Sequence, residues 1–154
     1  MARFAVTEEE CNRILSMPKT VDAKVSWVSK ANKSWSACRL EVVNEANLNL
    51  EIRITVNNYQ LEKFSIVLLL NGIHRIKGLC YAGSHINKCS DGKRWTCQLH
   101  KHSWSDICPG GHAYTPNDIT GTTLGDVFDQ FCNECNVTFT GDFRPLEFQT
   151  QSRM

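Results

Sequence analysis

The residues best suited to chemistry are concentrated between His85 and His112. That segment holds four of the five histidines in the 154-residue chain. Two of them, His100 and His102, stand two residues apart on a predicted strand, so their side chains should share one face of a sheet. Such a pair can act as general base and general acid near neutral pH, can ligate a transition metal together with a third residue, or can simply be solvated. The spacing therefore marks a candidate site and leaves three chemistries open.

Further residues that fit such a site lie close to the pair in the sequence. His85 falls in a predicted loop, and Asp106 follows His102 by four residues. We expect His100, His102 and His85 to be the catalytic residues. The same histidines with Asp106 are the candidate ligands if a metal is bound, and zinc or another divalent transition metal would then be the cofactor. The pattern makes no cofactor certain.

The charge around the histidines is positive, although the whole chain carries a formal net charge of only +1. Cations interleaved with aromatic rings can follow a phosphate backbone and stack on bases, whereas the alternative is a solvated hairpin tip. The candidate substrate-binding residues are Arg75, Asn87, Lys93, Arg94 and Trp104.

The eight cysteines do not have the spacing of a zinc module. Cys132 and Cys135 form a C-x-x-C, yet both fall on an apolar helical stripe with Leu124, Phe128 and Phe131, where buried free thiols are common. No second C-x-x-C has zinc-finger spacing. We therefore predict that Cys132 and Cys135 pack in the core without a metal.

The hydrophobic pattern predicts one α+β domain over residues 1–154, a mainly antiparallel β-meander sheet with an N-terminal and a C-terminal helix packed on it. Alternation from Leu48 to Val56 indicates a strand with one wet face. Asn71-Gly72 is a type I′ hairpin signal, and Thr7 with Glu10 forms a capping box. The predicted helices are 8–17 and 123–135, and the predicted strands are 21–28, 37–43, 48–56, 62–70, 73–81, 94–102 and 137–140.

The cysteine content and the hydropathy pattern predict a location for the protein. The chain shows no export signal, and no apolar run reaches the length of a membrane span. Together with the cysteine content, this predicts reduced thiols in a cytoplasmic protein without a membrane partner. The oligomeric state is left open.

The run from Arg75 through Gly78-Leu79, His85 and Asn87 to His100-Lys101-His102 resembles the histidine-rich segment of small bacterial toxins of the TumE type, over residues 64–104. In that family a hairpin is followed by spaced histidines and a closing His-x-His. The resemblance implies an intracellular, toxin-like protein that acts on RNA and has a cognate antitoxin.

Two functions of different class fit these features. The first is metal-free RNA cleavage, in which one histidine takes the 2′-OH proton, another protonates the leaving oxygen and a Lys or Arg stabilises the phosphorane. The second is a non-enzymatic interaction protein, such as an inhibitor encoded by a phage or mobile element, whose His and Cys loops bind a protein partner and can be stabilised by zinc. Convergence of His85 and His100 favours the enzyme, and their separation favours the binder.

Overall fold

Two helices and eleven strands make up the part of the chain that the structure describes. In this computed structural model those residues are 6–29, 34–59, 63–80, 84–86, 94–96, 100–103, 112–114 and 124–143, with the backbone alone described for Cys80 and for the strands between 84 and 114. The helices are α1 (Glu8–Ser16) and α2 (Leu124–Glu134). The strands are β1 (Lys19–Val21), β2 (Val28–Ser29), β3 (Trp35–Asn44), β4 (Leu50–Asn57), β5 (Phe64–Leu70), β6 (His74–Cys80), β7 (Ser84–Ile86), β8 (Arg94–Thr96), β9 (His100–Ser103), β10 (His112–Tyr114) and β11 (Val137–Phe139).

Nine of these strands form one mixed sheet with a meander at its centre. The order across the sheet is β10-β9-β6-β5-β4-β3-β1-β11, with β2 also paired to β3, while β7 and β8 form a separate two-stranded sheet. Neighbours in the large sheet run antiparallel, except β1 and β11, which are parallel. The α+β class is confirmed, and the predicted meander is one part of a larger, mixed sheet.

One face of the sheet carries the hydrophobic core and both helices. Along β4 every second residue is buried and the residues between them are half-buried, as the alternation predicts. Cys11 and Ile14 of α1 join the same core cluster as Phe128 and Phe131 of α2 and the buried strand residues. We call the opposite side of the meander the open face; its described residues are Trp35, Ala37, Arg39, Glu41, Val43, Glu51, Arg53, Thr55, Asn57, Lys63, Ser65, Val67, Leu69 and Arg75.

Local signals in the sequence are confirmed at two turns. The Thr7 hydroxyl accepts a hydrogen bond from the Glu10 amide at 3.1 Å, which is the N-cap half of the predicted capping box. Asn71 and Gly72 both have positive φ, 57° and 73°, as a type I′ turn requires. The α1 cap and the turn between β5 and β6 therefore form where the sequence predicts them.

A buried lysine ties the end of α1 to the sheet. Lys19 is 2% exposed, and its Nζ donates to the carbonyl oxygens of Ile14, Leu15 and Met17. The carbonyls of Ile14 and Leu15 are among those that a helix C-terminus leaves without intrahelical partners, and Met17 is the C-cap residue of α1. Asn136 completes the arrangement by donating from Nδ2 to the Ser16 carbonyl at 2.6 Å. Burial lowers the pKa of Lys19 to about 8 because it removes water from the ammonium group. The carbonyl oxygens of Ile14, Leu15 and Met17 take the place of that water as hydrogen-bond acceptors.

The strand predicted at 21–28 is divided in two by the structure. β1 ends at Val21, β2 begins at Val28, and Lys24 between them makes only an isolated bridge to Asp142. The intervening backbone pairs with the C-terminal segment instead, since the Val25 amide donates to the Asp142 carbonyl at 2.9 Å. Alternation of buried residues correctly indicates an extended chain, but it contains no information on a partner more than a hundred residues away.

The strand predicted at 94–102 is also divided. Arg94–Thr96 is β8 of the small sheet, and His100–Ser103 is β9 of the large sheet. Residues 97–99, including Cys97 and Leu99, lie outside the described residues. A period of two is common to one long strand and to two short ones, so the pattern could not reveal the change of sheet.

Candidate functional site

His100 and His102 occupy alternate register positions in two rows that cross the large sheet. The row of His102 runs Arg39, Arg53, Val67, Gly78, His102 and Ala113. The row of His100 runs Ala37, Thr55, Ser65, Cys80 and His100. Directly paired residues of antiparallel strands lie on the same face, and the members of both rows on β3, β4 and β5 belong to the open face. The predicted pair therefore stands at register positions of the open face.

His85 and His112 stand apart from that arrangement. His85 lies in strand β7, where it pairs with Trp95 of β8, so the loop predicted around it contains a strand of the second sheet. His112 pairs with Ser103, which pairs with Lys77 and through it with the fully buried Leu68. The row of His112 therefore has register positions on the core face, whereas the rows of His100 and His102 have register positions on the open face. The structure thus brings together two of the predicted histidines in one strand and places the third in a different sheet.

The predicted substrate-binding residues are divided between the two sheets. Arg75 is half-buried in β6 and pairs with Leu69, which continues a row through Glu51 to Glu41 of the open face. Arg94 lies in β8, paired with Ile86. The other candidates, Asn87, Lys93 and Trp104, and the proposed metal ligand Asp106, lie outside the described residues.

Two arginines of the open face share one carboxylate. The Arg53 guanidinium donates to Oε2 of Glu51 at 3.1 Å from Nη2 and 3.3 Å from Nε. Arg39 Nε lies 3.7 Å from the same oxygen, with its side chain 70% exposed. Arg39 and Arg53 are also directly paired in register. Glu51 therefore balances only one of the two positive charges, and the exposed Arg39 remains able to contact an anion.

A tryptophan and a lysine extend this cationic region. Trp35 pairs with Asn57 in register, and the Asn57 amide donates to the Lys63 carbonyl at 2.9 Å. Trp35, Asn57 and Lys63 are all half-buried on the open face. Their row lies beside the row of Ala37, Thr55 and Ser65, which ends at His100. The sequence pattern of β3 and β4 indicated a wet face, but the adjacency of Trp35 and Lys63 depends on strand pairing that the sequence does not display.

The C-x-x-C pair is packed in the core, as predicted. Cys132 and Cys135 are 4% and 0% exposed, and both are free thiols. Burial raises the pKa of each thiol to about 12. A protonated thiol is a poor nucleophile and a poor metal ligand. Among the side chains that the structure describes, no three His, Cys, Asp or Glu residues come together as a metal site.

In the described part of the chain, neither helix has the length and apolarity needed to cross a membrane. No protein family, curated protein or solved structure matches this chain.

Proposed function

We propose that the protein is a small toxin-like endoribonuclease that acts on RNA through His100 and His102, in the cytoplasm and under the control of a protein antitoxin. The observation that carries the proposal is the register of β9, in which the two histidines occupy alternate positions in line with the open face. Positions two apart in one strand are about 6.8 Å apart along it. Side chains at such positions are close enough to act on opposite sides of one phosphate.

The chemistry assigned to the pair needs no metal. One histidine, neutral, removes the proton from the ribose 2′-OH, and the 2′-oxygen attacks the adjacent phosphorus. The other, protonated, gives its proton to the 5′-oxygen as the P–O5′ bond breaks. The products are a 2′,3′-cyclic phosphate and a free 5′-OH. A nearby cation stabilises the extra negative charge of the phosphorane, and Arg75 on the neighbouring strand β6 is our candidate.

The proposal predicts RNA cleavage that persists in EDTA. The purified protein, incubated with a mixed-sequence RNA, should release fragments that end in a 2′,3′-cyclic phosphate, which mass spectrometry identifies. The rate should follow a bell-shaped pH profile, because one histidine must be neutral and the other protonated. Cleavage that disappears on chelation, or products with 3′-OH ends, would instead indicate a metal-dependent site and contradict the assignment. An absence of cleavage by the wild-type protein would reject it.

A binding function is the second candidate, and one observation favours it. His85 belongs to a different sheet from His100, and histidines on separate elements favour a binding surface over a shared acid–base site. Val43, which is 58% exposed beside Glu41 on β3, adds an apolar contact point to the open face. A non-enzymatic inhibitor that binds a protein target through this face would need neither acid–base chemistry nor RNA. The cleavage assay distinguishes the two functions.

A further inference from the structure

We infer that Trp35, Arg39 and Lys63 form a binding subsite for an unpaired RNA strand on the open face, beside His100 and His102. The inference rests on the proposed function, because it concerns the RNA that the histidines would cut. None of the three residues belongs to the histidine segment.

Strand pairing brings the subsite close to the histidines. Lys63 directly precedes β5, which is separated from β9 only by β6. Two strand spacings and two residues along the chain place the Lys63 and His100 backbones on the order of 12 Å apart. Arg39 lies four strand spacings from His102, or about 19 Å, and Trp35 lies about 20 Å from His100. These separations are suited to a short oligonucleotide that crosses the strands.

The charges of the face favour an anionic occupant. The described cations of the open face are Arg39, Arg53, Lys63 and Arg75, and its described acids are Glu41 and Glu51. Glu41 and Glu51 lie in the same row as Arg75. The row of Arg39 separates these acids from Trp35 and Lys63. The end of the face beside the His100 row is therefore positive, which is complementary to a phosphate backbone.

The tryptophan identifies the strand as unpaired. A half-buried indole on the face of a sheet can stack on a base, and a base offers its face only when it is not enclosed in a duplex. The residues between Trp35 and the histidines in the His100 row are small and include the hydroxyls of Thr55 and Ser65. Nothing bulky among these described side chains obstructs a strand that lies between the indole and the histidines.

Binding measurements on the whole chain carrying His100→Ala, in which cleavage is strongly slowed, test the subsite. Fluorescence anisotropy would compare a labelled single-stranded RNA with the same RNA annealed to its complement. We expect tighter binding of the single strand. Arg39→Gln and Lys63→Gln should each weaken it several-fold and reduce the slope of log K against log salt by about 0.7. Lys24→Gln, which removes an exposed cation outside the open face, is the matched control and should change neither quantity.

The aromatic contribution has its own pair of variants. Trp35→Leu keeps apolar bulk and removes the ring, and should weaken binding about tenfold. Trp35→Phe keeps a ring and should retain most of the affinity; melting curves establish that both variants are folded. Three results would overturn the subsite: equal effects of Trp35→Leu and Trp35→Phe, unchanged RNA affinity in Arg39→Gln and Lys63→Gln, or tighter binding of the duplex. The proposed function would still be supported in each case if the wild-type protein cleaves RNA. A wild-type protein that neither binds nor cuts RNA would overturn both, and capture of a protein on this face would favour the inhibitor.

Discussion

Alanine at His100 or at His102 should lower the rate of RNA cleavage by about 10²–10⁴, because each change removes one partner in the proton transfers. The melting temperature should change little, since both positions lie in rows of the open face rather than of the core. Both variants should still bind RNA, because the cations and Trp35 of the open face remain. Loss of rate with retained binding is the signature of a chemical role.

Two other histidines provide the controls for this prediction. His112 lies in a row that is out of phase with the pair, and His74 lies at the start of β6 beside the turn. His112→Ala and His74→Ala should therefore keep cleavage within a few-fold of wild type. If all four alanine variants lose activity together, or if His100→Ala and His102→Ala lose it only by unfolding, the assignment of the pair as general base and general acid fails.

The double variant Cys132→Ala, Cys135→Ala should have a lower free energy of unfolding than wild type near neutral pH, and this difference should shrink as the pH rises above about 9. In the folded protein, burial raises the pKa of both thiols from 9.0 to about 12. Between those values the unfolded chain loses protons that the folded chain retains. Their contribution to stability is therefore fully present below pH 9 and is lost as the pH rises toward 12. By pH 11 the loss is about 2–3 kcal/mol per thiol.

Urea unfolding of wild type and variant at a series of pH values, in the presence of a reductant, measures this effect. Near pH 7 the variant should be less stable by roughly 1–2 kcal/mol per removed buried side chain. Lys19 acts in the opposite direction, since its lowered pKa makes its own part of the stability rise between about pH 8 and 10.5. Because Lys19 interacts electrostatically with Cys135, the comparison removes only part of the Lys19 contribution. Parallel curves for the two proteins from pH 7 to 11 would show that the thiols are not buried as described.

Local sequence patterns were sufficient to predict much of the scaffold. Alternation identified β4 and its two faces, Asn71-Gly72 identified the turn between β5 and β6, and the apolar stripe of α2 identified Phe128, Phe131 and Cys132 as buried. In each case the residues that determine the structure lie within one element or one turn. The hydrophobic period and the turn residues are therefore enough, because no distant partner is needed to define them.

Long-range pairing is what the sequence could not provide. The parallel pairing of β1 with β11 joins Lys19 to Val137, and no local period records it. For the same reason, the alternation around Trp95 and His100 predicts one strand of one sheet, whereas the structure has two short strands in two sheets. Prediction of the candidate site suffers most from this lack of long-range information. Trp35 and Lys63 lie on the same sheet face as the histidine positions only because of the register of four successive strand pairs.

The proposed function requires RNA to bind the open face, at the rows that contain His100 and His102. NMR titration of the protein with a single-stranded RNA, followed at imidazole and methyl resonances, measures this binding residue by residue. We expect shifts at His100, His102 and the methyls of Val67, with little change at Ile66 and Leu68, which are fully buried on the core face. Shifts confined to His112, His74 or the helices, or none at saturating RNA, would contradict it.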